Sequence, residues 1–433
     1  LEGRRTDLKL LIKNGHLVDP EAGRDGIFDI VVRDGIVDKV GENLADSVLQ
    51  GCDKVIDADG LYVMPGFIDL HVHFREPGLT HKETVKTGSE AAAAGGYTSV
   101  FCMPNTKPVI DSVGNYELLM DIINRDACVN VYPVGAVTKG QQGVELAEIS
   151  AMAAKGMKAI SEDGKSVMDS GLYRQAMKLA KEAGITVFAH CEDINLVEKG
   201  VMNAGKRAGE LGFRGISNAV EDIITARDIM LAKETGAKLH LCHCSTKDSV
   251  RMVKEAKDNG INVTAEVCPH HFTLTDADIP GDDANYKMNP PLRTREDVDA
   301  LLKGISDGIM EVISTDHAPH SFNEKNTSIE KAPFGIVGLE TAFALSYSEL
   351  VLKNVISLSD LVRCMSANPA KVAGIDRGTL AEGKAADIVL TELDTEYEIN
   401  TDNFRSMGKN TPFGGRKVHG KVIKTLVAGR EVL

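Results

Sequence analysis

The chain has 433 residues, with 63 acidic and 49 basic side chains and a formal net charge of −14. This acidic balance argues against a nucleic-acid or anionic-membrane partner, either of which requires a basic face. No apolar run approaches the roughly 20 residues that span a bilayer, and a hydrophobic content of 43% is too high for a disordered chain. Length alone suggests about three domains, although α/β barrels run longer as single units.

The eight cysteines are too sparse for a disulfide framework, and none stands in a CxxC pair. Cys102, Cys242 and Cys268 lie in or beside apolar runs, where a reduced thiol behaves as a small hydrophobe. The chain opens without a charged-then-apolar signal segment. We therefore expect a cytoplasmic location, in a reducing compartment.

The first 60 residues form short β segments without a helical period. The sequence predicts a turn at Asn14-Gly15, and Asp34-Gly35 between two apolar runs predicts a hairpin. Two further β runs, 386–390 and 418–427, close the chain. We predict that both chain ends form one discontinuous β-sandwich domain, made of residues 1–60 and 376–433.

From about residue 61, apolar runs alternate with helical stretches, and glycines such as Gly184, Gly236 and Gly260 stand where a helix would end. The eight apolar runs are 67–71, 97–102, 129–134, 157–161, 185–190, 238–243, 261–267 and 310–314. The helix candidates include 80–94, 112–125, 169–183, 217–235 and 246–259. This alternation predicts a (β/α)8 barrel over residues 61–375. An open doubly wound sheet is the alternative, but no GxGxxG motif follows the first strand.

Metal-ligating residue types stand at the ends of five predicted barrel strands, where active sites of such barrels lie. The set comprises four histidines and two aspartates: His71, His73, Asp163, His190, His243 and Asp316. Alternation places His71 and His73 on one face of the first strand. Cys242 and Cys244 flank His243, so alternation predicts that both thiols pack between the barrel and its helices.

Imidazole and carboxylate ligands without a thiolate suit zinc or another divalent transition ion. Six ligands exceed the needs of one tetrahedral zinc, so we predict two ions bridged by one carboxylate. Such ions lower the pKa of a shared water and supply a hydroxide nucleophile. Asp316, after the last strand, is then placed to shuttle the proton.

The strand-end residues resemble those of the amidohydrolase superfamily, and the flanking segments are similar to dihydroorotases of the long-chain bacterial type. The segments that carry this resemblance are DLHVHFREPG (69–78), MPNT (103–106), HCED (190–193), CHCST (242–246), NPPLR (289–293) and STDHAPH (314–320). The HxH pair alone is common among amidohydrolases, whereas its combination with FREPG is specific. The resemblance spans nearly the whole chain.

The resemblance implies a zinc-dependent, reversible cyclisation of N-carbamoyl-L-aspartate to L-dihydroorotate in de novo pyrimidine synthesis. The substrate carries a carboxylate, for which Arg75 offers a bidentate fork, and Asn105, Asn289 and His320 complete the expected pocket. The hypothesis is that metal-bound hydroxide attacks the ring amide carbonyl while Asp316 passes the proton to the leaving nitrogen. A homodimer is common in the family and is expected here.

Two residues are candidates for the ligand that bridges the metals. Some branches of the family bridge their metals with a carboxylated lysine in the fourth strand, and others use an aspartate just after it. This chain has both Lys158 and Asp163, and we favour Asp163 because it lies at the strand end where the ligands converge.

The function also has alternatives: another cyclic amide hydrolase (dihydropyrimidinase, hydantoinase or allantoinase), or a non-catalytic scaffold similar to dihydroorotase. Arg75 and His320 discriminate against the first, because dihydropyrimidine and hydantoin rings need no clamp for an α-carboxylate. The second is disfavoured because scaffolds tend to lose metal ligands, and all six positions are filled.

Overall fold

The computed structural model describes residues 9–44 and 49–433 of the chain. It consists of a (β/α)8 barrel and a small β-sandwich unit to which both chain ends contribute, which confirms the predicted fold class. The predicted domain limits, 1–60 with 376–433 and 61–375, stay predictions. Residues 1–8 and 45–48 of the predicted β domain lie outside the described residues.

An eight-stranded sheet, here called the terminal sheet, joins the two chain ends. Its strands are Lys9–Asp19, Arg24–Arg33, Ile36–Gly41, Lys54–Asp57, Tyr62–Pro65, Ile388–Glu392, Lys421–Val427 and Arg430–Glu431. Ile388–Glu392 lies antiparallel to both Tyr62–Pro65 and Lys421–Val427, so the ends meet in the middle of the sheet. Tyr62–Pro65 runs through Gly66 directly into the barrel, which fixes the sheet against the first barrel strand.

The two predicted turns of the terminal sheet have different outcomes. Asp34 and Gly35 have φ of 53° and 80° and join the paired residues Arg33 and Ile36, as a primed hairpin turn requires. The predicted turn at Asn14-Gly15 is wrong, because strand Lys9–Asp19 continues through it as a β-bulge with a register shift between Ile12 and Gly15. Asn14 takes the left-handed conformation (φ 62°) and donates its backbone N–H to the carboxylate of Asp29 at 2.9 Å.

Each of the eight predicted apolar runs overlaps one barrel strand. The strands are Phe67–Val72, Tyr97–Cys102, Asn130–Pro133 continued by Gly135–Ala136, Ala159–Ser161, Thr186–Ala189, Lys238–Leu241, Val263–Val267 and Val312–Ile313. The third strand is interrupted at Val134, and its halves pair with the second and fourth strands. A parallel bridge between Val72 and His317, with His73 N–H donating to the His317 carbonyl at 2.8 Å, closes the barrel. This closure excludes the open doubly wound sheet.

The α-helices of the described residues surround the barrel and cover its rims. They are Val85–Ala94, Val113–Asp126, Ile149–Ala154, Ser170–Ala183, Lys206–Leu211, Ala219–Thr235, Lys247–Asp258, Pro269–Thr273, Arg295–Ser306, Phe322–Lys325, Ala342–Ser346, Leu358–Val362 and Asn368–Ala373, with π-helical turns at Tyr347–Val351 and Arg363–Ala367. Gly184, Gly236 and Gly260 have φ of 72°, 70° and 69°, as predicted for helix ends. No helix in the described ranges is both long and apolar enough to cross a membrane.

Short elements lie outside the two main sheets. They are the paired strands Met202–Asn203 and Gly215–Ile216, the paired strands Tyr397–Glu398 and Lys417–Val418, and the 3₁₀ turns Leu49–Gly51, Lys139–Gln141, Asp276–Asp278, Ala284–Tyr286 and Thr401–Asn403. Buried apolar side chains such as Leu70, Phe101 and Phe188 fill the barrel interior. The polar strand-end residues therefore lie on top of a packed apolar floor, at the carboxyl end of the barrel.

Candidate metal centre

The structure brings all six predicted metal-ligating side chains together at the carboxyl end of the barrel. They are His71, His73, Asp163, His190, His243 and Asp316, and none is more than 7% exposed. They come from five strands, and parallel strands aim their carboxyl ends at the same rim. Water is therefore largely excluded from a cluster of polar groups, so their charges interact strongly.

Asp163 is common to two groups of ligand atoms. Its Oδ1 lies 3.1 Å from His71 Nε2, and its Oδ2 lies 3.4 Å from His73 Nε2. The same Oδ1 lies 3.4 Å from His190 Nδ1 and 3.8 Å from His243 Nε2. One carboxylate thus touches two pairs of histidines, which is the arrangement expected of a bridging ligand.

Asp316 belongs to the first of these groups. Its Oδ1 lies 3.1 Å from His73 Nε2 and 3.5 Å from His71 Nε2. Its backbone φ of 48° places a non-glycine residue in the left-handed region, which the surrounding structure must hold. This backbone conformation is the one from which the Asp316 carboxylate reaches His71 and His73.

Hydrogen bonds at the outer nitrogens of three rings define the tautomers. His71 Nδ1–H donates to Glu266 Oε1 (2.9 Å), and His190 Nε2–H donates to Glu192 Oε2 (3.1 Å). His73 Nδ1–H donates to Asn105 Oδ1 at 3.0 Å. When the rings are neutral, their inner nitrogens carry lone pairs. His71 Nε2 then faces Asp163 Oδ1, and neither atom has a hydrogen-bond partner within the described residues. His190 Nδ1 lies 2.8 Å from His243 Nε2. A proton or a metal ion between such a nitrogen and such an oxygen satisfies both.

The electrostatics also favour positive charge at this point. Burial opposes the charged ring of His190, but Asp163 and Glu192 raise its pKa to about 10. Burial likewise opposes the charged ring of His71, and Asp163 nevertheless raises its pKa well above the ordinary value. Against the effect of burial, the pKa of Asp316 is lowered by His71 and His73. The pocket therefore holds carboxylates ionised and attracts cations.

Glu266 of the seventh barrel strand is a site residue that the sequence reasoning missed. It is fully buried and accepts from His71 Nδ1 (2.9 Å), from His240 Nε2 (3.0 Å) and from the His243 backbone N–H (3.2 Å). A carboxylate behind a ligating histidine fixes the tautomer and the ring orientation. Its signal in the sequence is a glutamate inside the otherwise uncharged strand Val263–Val267.

The prediction that Cys242 packs outward, between barrel and helices, is wrong. Cys242 points into the barrel, where its Sγ lies within 4.8 Å of ligand atoms of His71 and Glu266. The physical reason is the φ of 34° at His243, which breaks the strand alternation and turns both residues inward. Cys244 packs in the core between barrel and helices, as predicted.

Arg75 lies beside the cluster, on the loop after the first strand. Its Nε donates to the carbonyl of Pro319 (3.3 Å), and its terminal nitrogens make no hydrogen bond with any residue in the described ranges. Burial lowers the pKa of Arg75 to about 10, while Asp316 and Asp163 favour the charged form. The guanidinium is therefore cationic at neutral pH, with a free fork for an anion.

Asn105 and Asn289 reach the cluster through its supporting residues. Asn105 accepts from His73 and donates its Nδ2 to the carbonyl of Asp163 at 3.4 Å. Asn289 Nδ2 donates to Glu192 Oε1 at 2.9 Å. In this structure both amides hold partners of the histidines, in addition to lying near the predicted pocket.

His320 lies at the mouth of the site. Its Nε2–H donates to the carbonyl of Phe334 (2.8 Å), and its Nδ1 accepts from Lys82 Nζ (3.3 Å), so both ring nitrogens are engaged. A cavity of about 390 Å³ opens beside it, lined also by Phe322, Lys325 and Lys409. None of the six residues lines this cavity, so it is a space separate from the cluster.

Lys158 and Asp163 lie at opposite ends of the fourth barrel strand, Ala159–Ser161. Lys158 is half-buried just before the strand, where its carbonyl accepts from Thr186 N–H at 3.1 Å. Asp163 follows the strand at the carboxyl end, in contact with His71. The geometry favours Asp163 as the residue shared by both histidine pairs.

Comparison with known proteins places these observations in a family context. A family model described as "Dihydro-orotase-like" matches residues 60–249. A dihydroorotase of Ruminiclostridium cellulolyticum is 45% identical over 426 residues, which is 98% of this chain and 99% of the relative. A dihydroorotase of Pelotomaculum thermopropionicum is 47% identical over 426 residues, with the same coverage of 98% and 99%. The crystal structure of a dihydropyrimidinase from Brevibacillus agri matches with a TM-score of 0.85 at 27% identity, covering 98% of this chain and 95% of that one.

Proposed function

The chain belongs to the dihydroorotase family, and on this basis we propose that it catalyses the reversible cyclisation of N-carbamoyl-L-aspartate to L-dihydroorotate in pyrimidine synthesis. As a member of this family it is a metal-dependent cyclic amide hydrolase. The observation that carries the proposal is the convergence of four histidine rings on the Asp163 carboxylate beside a free guanidinium fork. Such a site can hold divalent cations and an acidic substrate together.

The metal is proposed to be zinc, with two ions per chain. His71, His73 and Asp316 would hold one ion, His190 and His243 the other, and Asp163 would contact both. The unpartnered His71 Nε2 and Asp163 Oδ1 support this fit, because each is an acceptor that a cation would satisfy. When bound, divalent ions polarise a carbonyl and lower the pKa of water. The choice of Asp163 over a carboxylated Lys158 is part of the same proposal.

Asp316 is proposed as the residue that moves the proton. Its carboxylate stays ionised because the neighbouring histidines lower its pKa against the effect of burial, so it is in the form that accepts a proton at neutral pH. In hydrolysis the carboxylate would take the proton from the water that attacks the amide carbonyl and pass it to the ring nitrogen that leaves. In cyclisation the carboxylate would take the proton from the attacking carbamoyl nitrogen.

Arg75 is proposed to bind the carboxylate that dihydroorotate keeps outside the reacting amide. Two parallel N–H donors of a guanidinium match the two oxygens of a carboxylate, and the burial of Arg75 strengthens the pair. Asn105 and Asn289 would present amide groups to the ring, and His320 would border it. A homodimer and a cytoplasmic location, both expected from the sequence, remain proposals.

The alternatives are less well supported than the dihydroorotase activity. The dihydropyrimidinase from Brevibacillus agri shares the fold at 27% identity, whereas the two dihydroorotases share 45% and 47%. A buried arginine with a free fork has no role for a ring that lacks a carboxylate. A non-catalytic scaffold has no need for six converging ligands.

The test is an assay of zinc-reconstituted protein on dihydroorotate, dihydrouracil and hydantoin. We expect dihydroorotate to be hydrolysed with the highest kcat/KM. Arg75→Gln should raise KM for dihydroorotate by about 10- to 100-fold, because a hydrogen bond to a charged group contributes about 1.5–3 kcal/mol. Arg251→Gln, which changes an exposed guanidinium on an outer helix, is the matched control. Faster turnover of dihydrouracil than of dihydroorotate would contradict the proposal.

A further inference from the structure

A second group of metal-ligating side chains lies outside the cluster described above. Cys268 follows the seventh barrel strand, and His270 and His271 lie on the short helix Pro269–Thr273. One ligand atom from each of the three residues lies within 4.8 Å of the other two. Their side chains are buried, with exposures of 0%, 2% and 1%.

Both imidazoles of this group have a buried nitrogen without a partner in the described parts of the chain. His271 Nε2–H donates to the carbonyl of Pro290 at 2.9 Å, so its Nδ1 carries a lone pair, and no group donates to it. His270 Nε2 is also without a partner. Leaving one buried polar group unsatisfied costs about 1–3 kcal/mol. Two unsatisfied imidazole nitrogens beside a thiol therefore indicate a ligand-binding site.

The other thiol-containing group in this region differs in this respect. His71, Cys242 and Glu266 also lie close together, but His71 Nδ1 and Glu266 Oε1 are already bonded to each other at 2.9 Å. Their hydrogen-bonding capacity is used to orient His71. The group around Cys268 has no such internal bond to explain its nitrogens.

We propose that Cys268, His270 and His271 bind one transition-metal ion of the zinc type, at a site separate from the pair of ions that would share Asp163. One thiolate and two imidazoles form a ligand set typical of zinc, with a fourth position for water. Binding forms three metal–ligand bonds and releases the Sγ proton of Cys268 to solvent. A tetrahedral zinc holds its ligand atoms about 3.5 Å apart, so these atoms, which lie within 4.8 Å of one another, would close by at most about 1 Å.

The site would act on the substrate pocket through the loop that it anchors. His271 holds the carbonyl of Pro290, and the preceding Asn289 donates to Glu192, which orients His190. An ion on His271 Nδ1 would fix the ring and therefore this loop. The inference concerns metal binding alone and does not rest on the proposed reaction.

The test uses the full chain, stripped of metal and titrated with cobalt(II). We expect a third equivalent of bound cobalt, with a thiolate-to-cobalt charge-transfer absorption in the near ultraviolet. On the zinc-loaded wild-type protein, X-ray absorption should show a sulfur neighbour at about 2.3 Å from part of the zinc. This second measurement needs no variant, so it holds even if a substitution disturbs folding.

Two cysteine variants assign the band to one thiol. Cys268→Ser should lose the charge-transfer band and the third cobalt equivalent, whereas the matched control Cys242→Ser should keep both, with folding checked by circular dichroism. Absence of the band and of the sulfur neighbour in the wild type would overturn the proposal. A band that Cys268→Ser leaves in place, or that Cys242→Ser removes, would also overturn it. A wild-type protein that binds all three ions but does not hydrolyse dihydroorotate would instead count against the proposed function.

Discussion

Asp316 has two proposed roles, as a metal ligand and as a base, and a substitution can remove one role without the other. Its Oδ1 lies near His71 and His73, and its ionised carboxylate can accept a proton. Asp316→Asn keeps an oxygen ligand but removes the base, so we expect kcat to fall by about 10²- to 10⁴-fold while the metal content persists. Steady-state kinetics and metal analysis on one preparation check this. Retained activity would remove Asp316 from the role of proton carrier.

Glu266 allows a second prediction at the scale of single residues. Because it fixes the tautomer of His71 and contacts His243, Glu266→Ala should weaken metal binding by about 10- to 100-fold. Competition with a chelator measures the affinity. Glu311→Ala, which removes a carboxylate bound to Lys257 near the eighth strand, is the matched control and should leave the affinity unchanged. Equal effects of the two variants would show that Glu266 has no specific role.

At the scale of elements, a segment from beyond the barrel supports the loop after the eighth strand. Asn410 accepts the backbone N–H of His320 at 3.1 Å and donates to the carbonyls of Ala318 (3.1 Å) and Gly335 (3.0 Å). Two acidic residues of the barrel anchor this segment. Glu83 binds Ser406 and Met407, and Glu340 accepts the backbone N–H groups of Arg405 and Ser406. The mouth of the site is therefore built from two distant parts of the chain.

This anchoring predicts a pH dependence of stability. Burial raises the pKa of Glu340 to about 7. Between its ordinary value and 7, the folded state keeps a proton that the unfolded state releases, so the free energy of unfolding falls as pH rises through this window. Glu340→Gln cannot ionise but still offers an oxygen to both N–H groups. Relative to the parent, the variant should therefore gain stability between about pH 5 and about pH 8.

Urea denaturation of parent and variant at both pH values measures this effect. Glu396→Gln, which removes an exposed carboxylate paired with Lys417, should keep the pH dependence of the parent. A difference between Glu340→Gln and the parent that does not change with pH would contradict the assignment.

At the scale of the whole molecule, metal binding and folding are coupled. Bound ions would satisfy His71 Nε2 and Asp163 Oδ1, which have no partner within the described residues, so removing the ions should lower the stability of the entire fold. At a free ion concentration 1,000 times Kd, one bound ion stabilises by about 4 kcal/mol. We expect Tm to fall by several degrees on chelation and to recover on addition of zinc, as calorimetry can measure. A Tm that chelation does not change would contradict this coupling.

The net charge of −14 describes the surface and not the site. Arg75 and the cations expected among the histidines make the pocket positive within an anionic protein. The net charge of the chain argued against partners that need a basic face, such as nucleic acid, whereas the charge of the pocket follows from a few buried residues. These effects act at different ranges, because exposed charges are screened within about 8–10 Å and buried charges are screened much less.

The sequence by itself determined the barrel and the six candidate ligands. Runs of apolar residues, helix-ending glycines and polar residues at strand ends are local signals, and closure of a parallel barrel necessarily gathers those ends. His71 and Asp163 are far apart in the chain, and they meet in the structure because both lie at the carboxyl ends of barrel strands. The Asp34-Gly35 hairpin was predictable for the same reason, since its conformation depends on two residues alone.

Only the tertiary structure decided the features that depend on contacts between distant segments. The bulge at Asn14 depends on Asp29 and on close packing of Gly15 against Val63, where an added Cβ would lie 2.4 Å from a methyl group. A left-handed φ at His243 lets its side chain and that of Cys242 both face the barrel interior. The contacts of Glu266 depend on His71 and His240, which lie on other strands. Periodicity assumes regular backbone, so it fails where packing and long-range hydrogen bonds hold a residue in a strained conformation.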